Sequence, residues 1–202
     1  MSVRMQAAGG VTTRQRLALF HGTGVETERA LAMSEGDLSF ELFISNGVRA
    51  TNLTIAELRP MALMRMGVDS ASKLRRLGFD ALHLTHAAFC SEANAAFGAE
   101  DVESAFLTTP ADAVCVAGSD ATHILNISTR KLLEYCAGAP QEALAVLQQM
   151  TGGEPLKEVP VRVLLDAGLR APALSSLGYT FSKVVAQTGA SSEEMLKLGY
   201  RL

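Results

Sequence analysis

Gly67-Val68-Asp69 opens, and Leu74-Arg75-Arg76-Leu77-Gly78-Phe79-Asp80 closes, the stretch whose reading decides the fold. The phrase returns as Gly168-Leu169 through Leu174-Ser175-Ser176-Leu177-Gly178-Tyr179-Thr180, and as Gly189 through Met195-Leu196-Lys197-Leu198-Gly199-Tyr200. Glycine sits where a helix has just ended and the chain must turn left-handed, a turn in which a Cβ is strained. An apolar residue follows it, as Val68, Phe79, Leu169 or Tyr179, in the place where a Schellman-type cap makes its hydrophobic contact. Asp69, Thr180 and Ser191 then stand at expected N-caps, where a side-chain oxygen accepts a free backbone N–H. Glu193 and Glu194 after Ser191 suit the positive end of a helix. Leu74 with Leu77, and Leu174 with Leu177, share one helical face.

Glycines at 47, 67, 78, 98, 118, 138, 168, 178, 189 and 199 extend this rhythm along most of the chain, in steps of about ten or twenty residues with one of thirty. The fold class expected is all-α, with tandem short helices of about ten residues, about twenty per pair, closed by Gly C-caps. The array is either α-solenoid-like or irregular. Helices so short are unstable alone in water and must bury their Leu faces against neighbours. The organisation expected is one all-α repeat domain over 1–202, with a candidate hinge at 150–160. There Met150-Thr151-Gly152-Gly153-Glu154-Pro155 and Val159-Pro160 break the rhythm. Helices are also expected over Thr13–Phe20, near Glu26–Met33 and near Leu38–Ile44. Pro60 starts or kinks a helix within Thr54–Met66, Pro110 opens one at N1, and Ser128 caps the helix that carries Leu132, Leu133 and Cys136.

A hydrophobic fraction of 48% against 19% charged residues fills a core and excludes a disordered chain. Net charge is −3. Residues 67–138 set Lys73, Arg75, Arg76, Arg130 and Lys131 against nine acids, and Lys73–Arg76 is the densest positive cluster. That balance argues against nucleic acid as a partner, since its binders carry a broad basic face. Cys90, Cys115 and Cys136 are too few and too odd for a disulfide framework, and their apolar contexts point to buried thiols in a reducing compartment. No stretch has the ~18 apolar residues that cross a bilayer. Residues 1–10 lack the apolar core of a secretory signal, while Arg4, Arg14 and Arg16 precede the first acid, Glu26, as in an amphipathic transit peptide.

Chemistry-bearing patterns are sparse. His83, His86 and Cys90 have a spacing that would put ligands on one side of a helix, with His123 or Cys115 as a fourth for zinc. Surface imidazoles beside a core thiol are the plainer reading. Cys90 with His86 would make a nucleophile pair, but no nucleophile turn or oxyanion loop accompanies it. Gly9-Gly10 and Gly152-Gly153 lack the spaced glycines and Lys-Ser/Thr of a phosphate loop. No catalytic, cofactor or metal residue is assigned. The apolar Tyr200 and Leu202 either fold back on the last helix or dock on a partner, and they are the candidate partner-binding residues.

Leu-Arg-Arg-Leu-Gly-Phe-Asp at 74–80 and Leu-Ser-Ser-Leu-Gly-Tyr-Thr at 174–180 resemble units of helical leucine-rich-type solenoids. The Leu-Gly-aromatic phrase is also similar to the repeats of mitochondrial transcription terminator-like proteins, which bind nucleic acid. Those repeats are longer, carry a proline late in each unit and are basic. Short-helix Gly-aromatic repeats are similar, too, to ones found in protists and large DNA viruses. The resemblance implies a non-enzymatic helical-repeat scaffold or assembly component that binds other proteins in a reducing intracellular compartment or a virion. A nucleic-acid-binding helical repeat is the alternative. No catalytic residue carries over.

Overall fold

Caps and Leu faces at such short intervals favour helix everywhere, and in the computed structural model every regular element among the described residues is a helix, fifteen in all. The structure describes residues 39–45, 47–55, 58–150, 155–157 and 159–201. The helices expected over Thr13–Phe20 and near Glu26–Met33, the arginines at 4, 14 and 16, and Leu202 lie outside them. The chain divides into two compact units, residues 1–79 and 80–202, and the candidate hinge at 150–160 lies partly outside the described residues.

The described part of the first unit holds α1 (Phe40–Ser45), α2 (Ala50–Ile55), α3 (Pro60–Arg65) and α4 (Ala71–Arg76). The second unit holds α5 (Ala81–Leu84), α6 (Ala87–Phe97), α7 (Ala99–Phe106), α8 (Pro110–Val116), α9 (Asp120–Ile124) and α10 (Thr129–Tyr135). It continues with α11 (Pro140–Gln149), α12 (Val161–Asp166), α13 (Ala171–Ser176), α14 (Phe181–Thr188) and α15 (Ser192–Leu198).

Local chemistry explains the ends. Pro60 and Pro110 open α3 and α8 at the first turn, where a missing N–H costs nothing. The Ser128 hydroxyl accepts from Lys131 N–H at 3.3 Å and caps α10. Thr180 and Ser191 cap α14 and α15, the latter in a reciprocal capping box with Glu194. One expected cap is corrected. Ser70, not Asp69, caps α4: its extended backbone (φ −152°, ψ 155°) aims the hydroxyl at Lys73 N–H. Asp69 lies one residue too early and instead pairs with Lys73 Nζ at 2.9 Å. At the other end of α4, Gly78 N–H donates to Arg75 O and Phe79 N–H donates back to Leu74 O. Where the sequence has no glycine, Asn126 takes the left-handed turn (φ 53°) after α9, and Ile127 N–H donates to Thr122 O. Asparagine tolerates that conformation better than other residues with a Cβ.

The buried face follows one rule. In α4, Ala71, Leu74, Leu77 and Phe79 are all essentially inaccessible. Pro60, Leu63, Met66 and Val68 repeat the pattern around α3, and Val161, Leu164, Ala167 and Leu169 repeat it around α12. Each large member stabilises the fold by about 1.5–3 kcal/mol. The apolar residue after the glycine is therefore a fourth core position of the helix it follows.

Inside the second unit, packing between non-adjacent elements has its own spacing. α5 packs on α8, α8 on α11, α6 on α9 and α12 on α15, each three helices ahead, while α8 packs on α10 and α10 on α12, two helices ahead. Asn94 Nδ2 donates to Ile124 O, and Leu156 N–H to Gln187 Oε1, across 30 and 31 residues. Glycine spacing of ten or twenty marks where helices end, whereas tertiary contact recurs both two and three helices ahead.

Two stretches of the chain are also alike in their helix starts. Residues 47–79 and 168–200 align without a gap, and α13, α14 and α15 begin at the counterparts of α2, α3 and α4. Arg49 donates to Val48 O and Arg170 to Leu169 O. A Cβ on Gly78 would lie 4.0 Å from Ala50 Cβ, and one on Gly199 would lie 4.0 Å from Ala171 Cβ.

Candidate functional site

The helix starts scatter the histidine–cysteine spacing. His83 sits at N3 of α5 and reaches back over its cap, with Nδ1 2.7 Å from Asp80 Oδ1. His86 is the exposed residue that precedes α6. Cys90 lies fully buried on the core face of α6. Among the described residues, no three His, Cys, Asp or Glu side chains are grouped to hold a metal ion. Burial pushes the thiols of Cys90 and Cys136 up to about 11, the latter with a smaller push from Glu142. Cys115 is half-buried, and burial, then Asp80 and Asp112, raise its thiol. Raised thiols are the opposite of what a nucleophile needs.

A different group stands out inside the second unit. Glu103 faces the core from α7 among Val102, Ala105 and Phe106, and is only 5% exposed. From α10, Lys131 Nζ donates to Glu103 Oε2 at 2.6 Å and Tyr135 OH donates to Oε1 at 3.0 Å. Lys131 and Tyr135 are four residues apart and so share a helical face. Burial, then the bond to Glu103, pushes the Tyr135 phenol up to about 12, so it keeps its proton at neutral pH. Lys131, Glu134 and Tyr135 line a surface recess of about 280 Å³, and Arg130 Nε holds Glu134 at 2.9 Å. Both Glu103 oxygens are taken and the phenol is neutral, so the cluster offers no free base. Its evident effect is to fix α7 against α10. Sequence reading missed it, although one signal was present: a carboxylate in the apolar run Val102–Leu107 needs a buried partner.

The candidate end is partly accounted for. Tyr200 is 8% exposed: its ring meets Phe181 edge-on, its N–H donates to Met195 O, and its hydroxyl donates to Tyr179 O. Tyr200 thus lies back against the last helix and the turn at Tyr179.

The first unit carries the densest positive cluster. Its residues 39–79 contain six Arg or Lys and three acids, while residues 80–202 contain eight and fourteen. Lys73 Nζ and Arg76 Cζ lie 5.1 and 4.8 Å from the centroid of one ring, Phe40. Arg49 extends along the turn after α4, its Cδ 3.8 Å from where a Gly78 Cβ would stand.

In comparisons with known proteins, no family model, no curated protein and no solved structure matches the chain. Among the described residues, no helix is long and apolar enough to cross a membrane.

Proposed function

We propose that this chain is a non-enzymatic helical-repeat scaffold, a solenoid-like array of short glycine-capped helices that holds other proteins in an assembly. The observation that carries the reading is the likeness of 47–79 to 168–200, in which the three helix starts, most core positions and the glycines 47/168 and 78/199 recur, while Gly67, Gly178 and Gly189 stand opposite Thr188, Glu57 and Val68. Repetition of a packing unit with a changing surface suits presentation of contacts along an array. The polar groups of the Glu103 cluster are paired with one another, which favours a structural role for them.

The test is the size and composition of the native particle in its source extract, by gel filtration with light scattering and mass spectrometry of what co-elutes. A stoichiometric assembly several times larger than 21.4 kDa is expected. A lone particle of that mass, with no protein co-eluting, overturns the reading.

A further inference from the structure

We propose that Asp80 and His83 form a proton-operated latch on α5, in which a neutral His83 accepts the Asp80 N–H at Nδ1 and a protonated His83 donates from that same atom to the Asp80 carboxylate. The device goes beyond the scaffold reading and does not rest on it.

Among the described residues, α5, α8 and α15 open with reciprocal capping boxes, and the last two show what is different in the first. In α8 the Thr109 hydroxyl donates to Asp112 Oδ2 at 2.9 Å, and Thr109 N–H donates to the same oxygen at 3.1 Å. In α15 the Ser191 hydroxyl and N–H donate to Glu194 Oε2 at 2.8 and 2.9 Å. A carboxylate oxygen has two lone pairs and takes both protons without conflict. In α5 the chemistry is reversed. The capping side chain is a carboxylate, which when ionised has no proton to give. His83 Nδ1 lies 2.7 Å from Asp80 Oδ1 and 3.2 Å from the Asp80 backbone nitrogen. The first contact needs a proton on Nδ1, whereas the second needs its lone pair. A ring nitrogen offers one or the other. The two bonds therefore exclude each other, and the proton chooses between them. The bond from His83 N–H to Asp80 Oδ1, at 3.4 Å, is open to both states.

Both partners already stand within 3.2 Å of Nδ1, so the exchange needs a proton and no large swing of the ring. Phe89 of α6 lies against that ring, 5.8 Å between centroids. Imidazole is the side chain that changes charge between about pH 5 and 8. A charge-assisted N–H to carboxylate bond is about 2.7–2.9 Å long, which the Nδ1 to Oδ1 contact matches. α5 packs on α6 and on α8. The titratable groups there are His86, Cys90 and Glu92 at and along α6, and Asp112 and Cys115 on α8. Cys90 is buried, and Asp112 is engaged by Thr108 and Thr109. His86, exposed before α6, is the other imidazole in this group. Burial, then the charges of Asp80 and Asp112, raises the Cys115 thiol. A cationic His83 offsets the Asp80 charge, so α8 senses the state of the latch.

The experiment is nuclear magnetic resonance on the full chain labelled with nitrogen-15, titrated from about pH 8 to about pH 5.5. At the upper end His83 Nδ1 is expected to resonate as an acceptor nitrogen and the Asp80 amide proton as a hydrogen-bonded one. As the pH falls, Nδ1 should move to the protonated position, and the Asp80 amide proton should move upfield with the same midpoint. His83→Gln keeps an acceptor where capping boxes use glutamine and takes up no proton, so its Asp80 amide should stay in place across the range. His86→Gln should leave the native behaviour intact. Circular dichroism checks that both variants fold. A protonated Nδ1 at pH 8, an Asp80 amide that ignores the His83 midpoint, or the same Asp80 movement in His83→Gln overturns the proposal.

Discussion

Replacing Gly118 by alanine should cost far more than replacing Gly189, although both have φ of 70° and both lie in the second unit. A left-handed turn with a Cβ costs about 1–2 kcal/mol, and that charge is common to the two. At Gly189 the new methyl meets nothing within 4 Å. At Gly118 it would stand 2.5 Å from Gln149 O and 3.2 Å from Gln149 C, so the end of α11 must move. Forcing a methyl into such a contact costs about 1–3 kcal/mol. With its amide turned so that the nitrogen faces α8, the Gln149 side chain also donates to Ala117 O at 2.8 Å and Val114 O at 2.9 Å, closing the end of that helix. Displacing α11 loosens these two bonds, worth about 1 kcal/mol each. Gly118→Ala is thus expected to lose about 3–6 kcal/mol and Gly189→Ala about 1–2 kcal/mol. At about 3 °C per kcal/mol the melting points fall by roughly 9–18 °C and 3–6 °C. Thermal melts followed by far-ultraviolet circular dichroism, repeated in urea, give both differences. Equal losses for the two variants would refute the claim that the turn after α8 is set by its approach to α11.

Lys131→Met leaves the Glu103 carboxylate buried with only Tyr135 to satisfy it, and should cost about 3–5 kcal/mol, against about 1–2 kcal/mol for Glu103→Gln, as read from urea unfolding. Cys90 and Cys136 keep their protons to about pH 11, while the unfolded thiols lose theirs near 9.0. Their contribution is therefore complete below pH 9, falls between pH 9 and 11, and falls no further above that. Melting points across this range should drop less in the Cys90→Ala, Cys136→Ala double variant, and a thiol reagent at pH 8 should label Cys115 before either. Tyr200→Phe removes the hydroxyl bond to Tyr179 O and keeps the ring against Phe181, so stability should fall by about 1 kcal/mol in thermal melts.

The all-helical fold and many of its turns were legible because their punctuation is local. Gly78, Gly168 and Gly199 each mark a turn whose cause lies within a few residues, and every glycine of the series has positive φ. Asn126 was not legible, because a left-handed asparagine looks like any polar loop residue until the turn is seen. Asp69 was mistaken for a cap because two adjacent residues were both competent and only the backbone angles choose Ser70. The Glu103 cluster joins residues 28 and 32 apart, and nothing in either segment names the other. Contact between α5 and α8, or α12 and α15, escapes the reader for the same reason: glycine spacing sets helix length and is silent on which helices touch.

Pairing three helices ahead restricts how such a sequence can grow or shrink. Deleting one ten-residue helix, or inserting one, between α5 and α11 would set every surviving face against a neighbour it was not shaped for, even if each helix kept its caps and its leucines. Removing or adding three together would keep the three-ahead pairs in step, and only the two-ahead contacts of α10 with α8 and α12 would need rebuilding. The stretches 47–79 and 168–200, each three helices long, have the length that such a rule permits. For the pairs three helices apart, the step in length that keeps their faces matched is the triplet, although the smallest structural step is the single helix.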